Sequence, residues 1–160
     1  MKKMTKSNLD TSGSLFSSKL FDENRFYDCF LKDLNNAKEE VIIESPFIST
    51  KRMKLLVPIF KKLARRKIKV YIITRRPEEH VEEYRWQSEK AIRMFEVMGI
   101  QPLLCVGNHH RKLAIIDREI LWEGSLNILS QIKSREIMRR IEGEHFALEM
   151  FDFLKLEKFL

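Results

Sequence analysis

His110-Arg-Lys112-Leu-Ala-Ile-Ile-Asp117-Arg-Glu-Ile-Leu-Trp-Glu-Gly124-Ser125-Leu-Asn127 is the stretch that decides the fold. Leu113 to Ile116 is a short apolar run, and the pattern predicts a buried strand over Arg111–Asp117. Asp117-Arg118-Glu119 reads as a tight connection, because an Asp side chain bonds nearby backbone at a turn. A second strand follows at Ile120–Trp122, and Gly124 breaks it. Side chains two apart on extended chain share a face. His110 therefore lies beside Lys112, Ser125 beside Asn127, and His109 points the other way. Folded as a hairpin, the stretch gathers an imidazole, an ammonium, a hydroxyl and an amide on one patch.

Those four groups suit a phosphate. Lys112 and Asn127 supply positive charge and amide donors for oxygens that gain charge in a transition state. Histidine near neutral pH serves as nucleophile, base or acid, which makes His110 the candidate reacting group. Ser125 is placed to donate to a phosphate oxygen or to the histidine. Asp117 lies across the strand period from Lys112, so a structural role suits it better than substrate contact.

Outward from the hairpin the chain alternates. Helical spacing of Phe26, Phe30, Leu31 and Leu34 predicts a helix over Asp22–Ala37, followed by a strand at Glu40–Glu44. A helix is expected at Arg52–Arg66 with Pro58 in its first turns, then a strand at Ile68–Thr74. A longer helix over Glu82–Met98 is closed by Gly99. Strands are expected at Gln101–Val106 and Glu136–Ile141, and a last helix ends the chain. Helix–strand alternation early and hairpins late give an α/β class, a mixed sheet sandwiched between helices. Residues 1–20, with Lys2, Lys3 and Lys6 among polar residues, read as a mobile tail, and residues 21–160 as one domain.

The 160 residues carry a net charge of +7, which favours an anionic partner without separating nucleic acid from lipid headgroups. No signal sequence or membrane span is expected, and a cytoplasmic setting is the simple reading. Cys29 and Cys105 are too few for a disulfide scaffold, and their spacing fits no metal site.

The H-x-K-D and G-S-x-N pattern resembles the signature of the phospholipase D superfamily, matched at His110, Lys112, Asp117, Gly124, Ser125 and Asn127. A looser likeness runs from about Phe21 to Ile141. The resemblance implies the same layered sandwich, a phospholipase D-like half-domain. It also implies a glutamate after the Asn that orients the histidine, for which Glu136 is the candidate. His80 and His145 lack a Lys two residues on, so the motif occurs once. Single-motif members, among them small bacterial endonucleases of about this length, build one site across a dimer. The resemblance therefore implies a homodimer with both His110 at the twofold axis, a phosphohistidine intermediate and no metal or other cofactor.

Substrate stays open at this level. Nucleic acid, DNA or RNA, ranks first for a chain this small and basic. A phospholipid hydrolase or phosphatidyl transferase ranks second and would use the Phe-rich C-terminus. A non-catalytic nucleic-acid-binding module working with a helicase or ATPase ranks third. Arg75 and Arg76, at the carboxyl end of a core strand, are candidate substrate contacts, as is the backbone at Gly124. Arg139 or Arg140 is a weaker candidate to face the cleft, and Tyr84 and Trp86 are weaker base-stacking candidates.

Overall fold

The computed structural model describes residues 8–9 and 15–160. Its described strands form one mixed sheet in the order β1-β2-β8-β7-β6-β3-β4-β5. The strands are β1 (Asn8–Leu9), β2 (Leu15–Asp22), β3 (Glu40–Glu44), β4 (Lys69–Arg75), β5 (Gln101–Cys105), β6 (Leu113–Ile116), β7 (Ile120–Gly124) and β8 (Ile137–Glu142). The helices are α1 (Phe26–Asn36), α2 (Thr50–Arg65), α3 (Glu82–Val97) and α4 (Glu144–Phe153). β3, β4 and β5 pair in parallel, joined by the α2 and α3 crossovers, and the other pairs are antiparallel.

Period-two alternation divides the sheet between two cores. Val41 and Ile43 of β3, Val70 and Ile72 of β4, and Ala114 and Ile116 of β6 face α1, α2 and α3. That core is rich in rings: Trp122 is fully buried among Phe21, Phe26 and Phe30. The alternate residues Ile42, Ile73, Leu113, Ile115 and Leu121 face α4 and the turn that follows it, through Ala147, Phe151 and Leu154. Three helices cover one face and one short helix covers part of the other.

The tail boundary is corrected: Leu15–Asp22 is an eight-residue strand whose residues Ser17–Asp22 pair with β8 and whose Leu15 and Phe16 pair with β1. The rest of the expected tail, apart from β1, lies outside the described residues. Two consequences follow locally. Asp22 ends β2 and accepts hydrogen bonds from Asn24 N at 3.1 Å and Arg25 N at 3.0 Å, so α1 begins only at Phe26. In α2, Ser49 caps the helix by accepting from Arg52 N at 3.2 Å. The helix thus starts two residues before Arg52, and Pro58 falls in its middle rather than its first turns.

Candidate active site

One end of the sheet gathers the carboxyl ends of β3, β4 and β7 and the amino ends of β6 and β8. A cavity of about 690 Å³ opens there. His110, Lys112, Gly124, Ser125, Asn127 and Glu136 all line it. Met150, Phe153 and Leu154 of the C-terminal segment form an apolar wall of the same cavity.

His110 is not on a strand. β6 begins only at Leu113, so the imidazole and Lys112 sit on the irregular segment before it. They nonetheless share a side: Lys112 Nζ lies 2.7 Å from His110 Nδ1 and 2.5 Å from the His110 carbonyl oxygen. Burial, then the positive charges of Lys112 and Arg75 and the neighbouring His109, hold the His110 imidazole below its ordinary pKa. Burial also lowers the Lys112 ammonium, Glu136 acts against that shift, and Arg75 adds to it.

Gly124 is required by close approach. A Cβ there would stand 2.1 Å from the Ile137 carbonyl oxygen and 2.9 Å from Met138 Cα. Without it β7 and β8 close up, and Ser125 N donates to Ile137 O at 3.0 Å. Ser125 Oγ accepts from Ile137 N at 3.1 Å and donates to Glu136 Oε2. Ser134 Oγ donates to Glu136 Oε1 at 2.6 Å and accepts from Gln131 Nε2 at 3.0 Å. Glu136 is therefore fixed in the cavity wall by two hydroxyls. Asn127 Oδ1 is buried without a protein partner.

The loop carrying Asn127 is tied to the segment between β3 and α2. Leu129 N donates to Ser45 Oγ at 3.2 Å and Ser49 N to Leu129 O at 3.0 Å. Arg52 donates to Gln131 O through Nε at 3.1 Å and Nη2 at 2.6 Å, with its guanidinium 3.6 Å above the Tyr27 ring. Sequence reading missed these ties, which join residues about eighty positions apart.

Asp117 is elsewhere, at the far end of β6. Asp117 and Arg118 both have positive φ in a tight turn closed by Glu119 N to Ile116 O at 3.0 Å. The Asp117 carboxylate accepts from Lys38 N, Glu39 N and Glu40 N at 2.9, 2.9 and 3.0 Å. It fixes the entry to β3 and lines no part of the cavity.

The two candidate substrate arginines also lie off the cavity lining. Arg75 donates to the His109 carbonyl oxygen through Nε at 3.2 Å and Nη2 at 2.9 Å, so it holds the His110 segment. Arg76 is exposed beside it. Arg140 points to the opposite face, paired with Asp33 at 2.7 Å, and Arg139 donates to Ser18 Oγ at 2.8 Å. His109 turns inward toward Glu44, whereas His110 is exposed.

A family model described as cardiolipin synthase, PLD-like domain matches residues 30–154. The chain belongs to the phospholipase D-like family. Its fold is similar to that of NucT from Helicobacter pylori, with a TM-score of 0.70 at 19% identity over 88% of this chain and 94% of that one. Nuc from Salmonella typhimurium, a phospholipase D family member, gives 0.70 at 18% identity over 88% and 92%. Phosphatidylserine synthase from Haemophilus influenzae gives 0.66 at 14% identity over 91% of this chain but 38% of its own. No curated protein matches the chain. Membership in the family brings phosphodiester hydrolysis or transfer as the general chemistry. Among the described residues no helix is long and apolar enough to cross a membrane.

Proposed function

We propose that this phospholipase D-like chain is a metal-independent nuclease that cleaves DNA or RNA through a phosphohistidine, in one site shared by two copies. The observation that carries the reading is His110 and Lys112 side by side in a cavity that also presents Ser125, Asn127 and Glu136. A neutral imidazole flanked by a cation attacks phosphorus, and Lys112 and Asn127 stabilise charge on the equatorial oxygens. Ser125 and Glu136 set the cavity wall. In-line displacement needs an acid on the opposite side of phosphorus, and one chain offers one such motif. His110 of a second copy, protonated, gives its proton to the departing oxygen. The same imidazole then takes a proton from water, which breaks the phosphohistidine.

Net charge of +7 supports a polyanionic substrate, and NucT and Nuc match over nearly their whole lengths, as a chain of this size does. Labelled single- and double-stranded DNA and RNA, incubated with the purified protein in excess EDTA, test it. Cleavage is expected to persist in EDTA and to vanish in His110→Ala. Lys112→Ala and Asn127→Ala should each lose roughly 10²–10³-fold in kcat, the loss typical of one transition-state donor. A requirement for added magnesium, or normal cutting by His110→Ala, overturns the reading.

One observation favours a second reading. Phe153, 78% exposed, stands with Met150 and Leu154 on the cavity wall and offers an apolar surface to an acyl chain. Hydrolysis of phospholipid vesicles without salt-sensitive binding to nucleic acid would select a phospholipid hydrolase or phosphatidyl transferase. Salt-sensitive binding without turnover would select the non-catalytic module that serves a helicase or ATPase.

A further inference from the structure

We propose that Glu44 is a positioning residue for His110, its buried carboxylate gripping the residues on both sides of the imidazole. The inference rests on the hydrolase reading above and deepens it. His110 lies between β5 and β6, on a segment that no strand ladder holds. Gly107 and Asn108 there have positive φ, so the chain turns sharply just before the histidine. Something other than the sheet must fix where the imidazole stands.

Glu44 does this from the end of β3. Its Oε1 accepts from Arg111 Nε at 2.7 Å. The same oxygen lies 2.7 Å from His109 Nε2, a contact out of line for a hydrogen bond. One atom therefore touches the residue before His110 and the residue after it. Arg75 completes the grip by holding the His109 carbonyl oxygen from β4. The anchor is stiff, because Glu44 pairs with Leu113 in the sheet, directly beside the first residue of β6.

Packing gives no reason for a carboxylate at this position. Glu44 is fully buried, and Oε2 has no hydrogen-bond partner in the protein. A carboxylate withdrawn from water and half satisfied is costly. The same face of β3 carries Ile42, packed with Ile73 and Leu113, and an apolar side chain at 44 would extend that cluster. What the carboxylate contributes is geometry. A reacting group misplaced by about 1 Å loses on the order of 10²-fold in rate.

The test compares the full-length protein with Glu44→Gln, which keeps the size and an acceptor for Arg111 but removes the charge. Three quantities are read: kcat and KM for bis(4-nitrophenyl) phosphate, melting temperature, and the His110 Cε1–H resonance, assigned by its loss in His110→Ala. Glu44→Gln is expected to lower kcat roughly 10- to 100-fold, to leave KM nearly unchanged, and to displace the His110 resonance. Asp33→Asn, which weakens a buried pair on the other face of the sheet, should lower the melting temperature and leave kcat unchanged. Wild-type kcat with an unmoved resonance in Glu44→Gln overturns the proposal. So does an equal loss of kcat in Asp33→Asn, because the effect would then be general destabilisation. If the wild-type protein turns over no phosphodiester, the hydrolase reading fails, and the resonance alone decides: displaced supports the grip, unmoved overturns it. If Glu44→Gln does not fold, Arg111→Gln breaks the same bond from the exposed side. Loss of kcat at constant KM then supports the proposal, and a rise in KM alone overturns it.

Discussion

His110 is held toward its neutral form by burial and by the charges of Lys112 and Arg75. A nucleophilic imidazole must be unprotonated, so the rate should fall as pH drops through its folded pKa. That acid limb is expected below the ordinary histidine value near 6.5. A limb centred at or above 6.5 in a pH profile of kcat/KM would contradict the arrangement. His80 gives a second pH effect. Both ring nitrogens are buried without partners, and burial and then Arg75 lower its pKa, with Glu79 acting against them. A histidine with a lowered folded pKa binds its proton better when unfolded. Its contribution to stability is full above about 6.5 and lost as pH falls toward the folded pKa. The melting temperature should therefore drop on acidification below about 6.5, and less steeply in His80→Phe. Gly124→Ala, which drives a methyl into β8 backbone, should cost about 1–3 kcal/mol or more in denaturant unfolding. His110, Lys112, Gly124, Ser125 and Asn127 were legible in the sequence because they stand at fixed spacing in one short stretch, whereas Glu136 came from the family resemblance and the wall of Met150, Phe153 and Leu154 from no local pattern. Arg75 and Glu44 were not legible in the same way. Arg75 looked like a substrate contact at a strand end and instead holds the His109 carbonyl, while Glu44 looked like the end of a core strand. Their partners lie more than thirty residues away, and no local pattern encodes that.

At the scale of elements, β3, β4, β6 and β7 were readable because buried strands are apolar runs bounded by turns, and β5, an edge strand with no buried residue, was readable as the short run after Gly99. β2 was not, since Ser17, Ser18 and Lys19 interrupt any alternation and β2 is only partly buried. Its strand character comes from pairing with β8, a partner more than a hundred residues later. The strand expected over Arg111–Asp117 is shorter at both ends for a related reason. Its amino end is drawn away by the Glu44 and Arg75 contacts, and its carboxyl end by the left-handed turn at Asp117 and Arg118. α1 and β8 are joined by the buried pair of Asp33 with Arg140, at 2.7 and 2.9 Å, and Asp33 also accepts from Trp122 Nε1 at 2.8 Å. Removing Asp33 leaves the buried Trp122 Nε1 without its acceptor and Arg140 with Glu142, at 2.9 Å, as its remaining partner. Asp33→Ala should destabilise the fold by about 3–5 kcal/mol in denaturant unfolding, whereas a cost near zero would mean the pair is solvated.

For the whole molecule, the cavity presents one imidazole from one chain, while the proposed reaction needs two. Sedimentation should show a species of about twice the 19.2 kDa chain mass. Wild-type protein mixed with excess His110→Ala should lose more activity than dilution explains, because a mixed dimer keeps one histidine. Three helices on one face and one short helix on the other leave the site end of the sheet open beside α4, where exposed Phe153 and Ile137 remain. The central claim, displacement in two steps through His110, is tested most directly by the stereochemistry at phosphorus. A chiral phosphorothioate diester is cleaved in isotopically labelled water and the configuration of the product is determined. Two successive in-line displacements give retention, which is the expected result; inversion would show that water attacks directly and that no phosphohistidine forms.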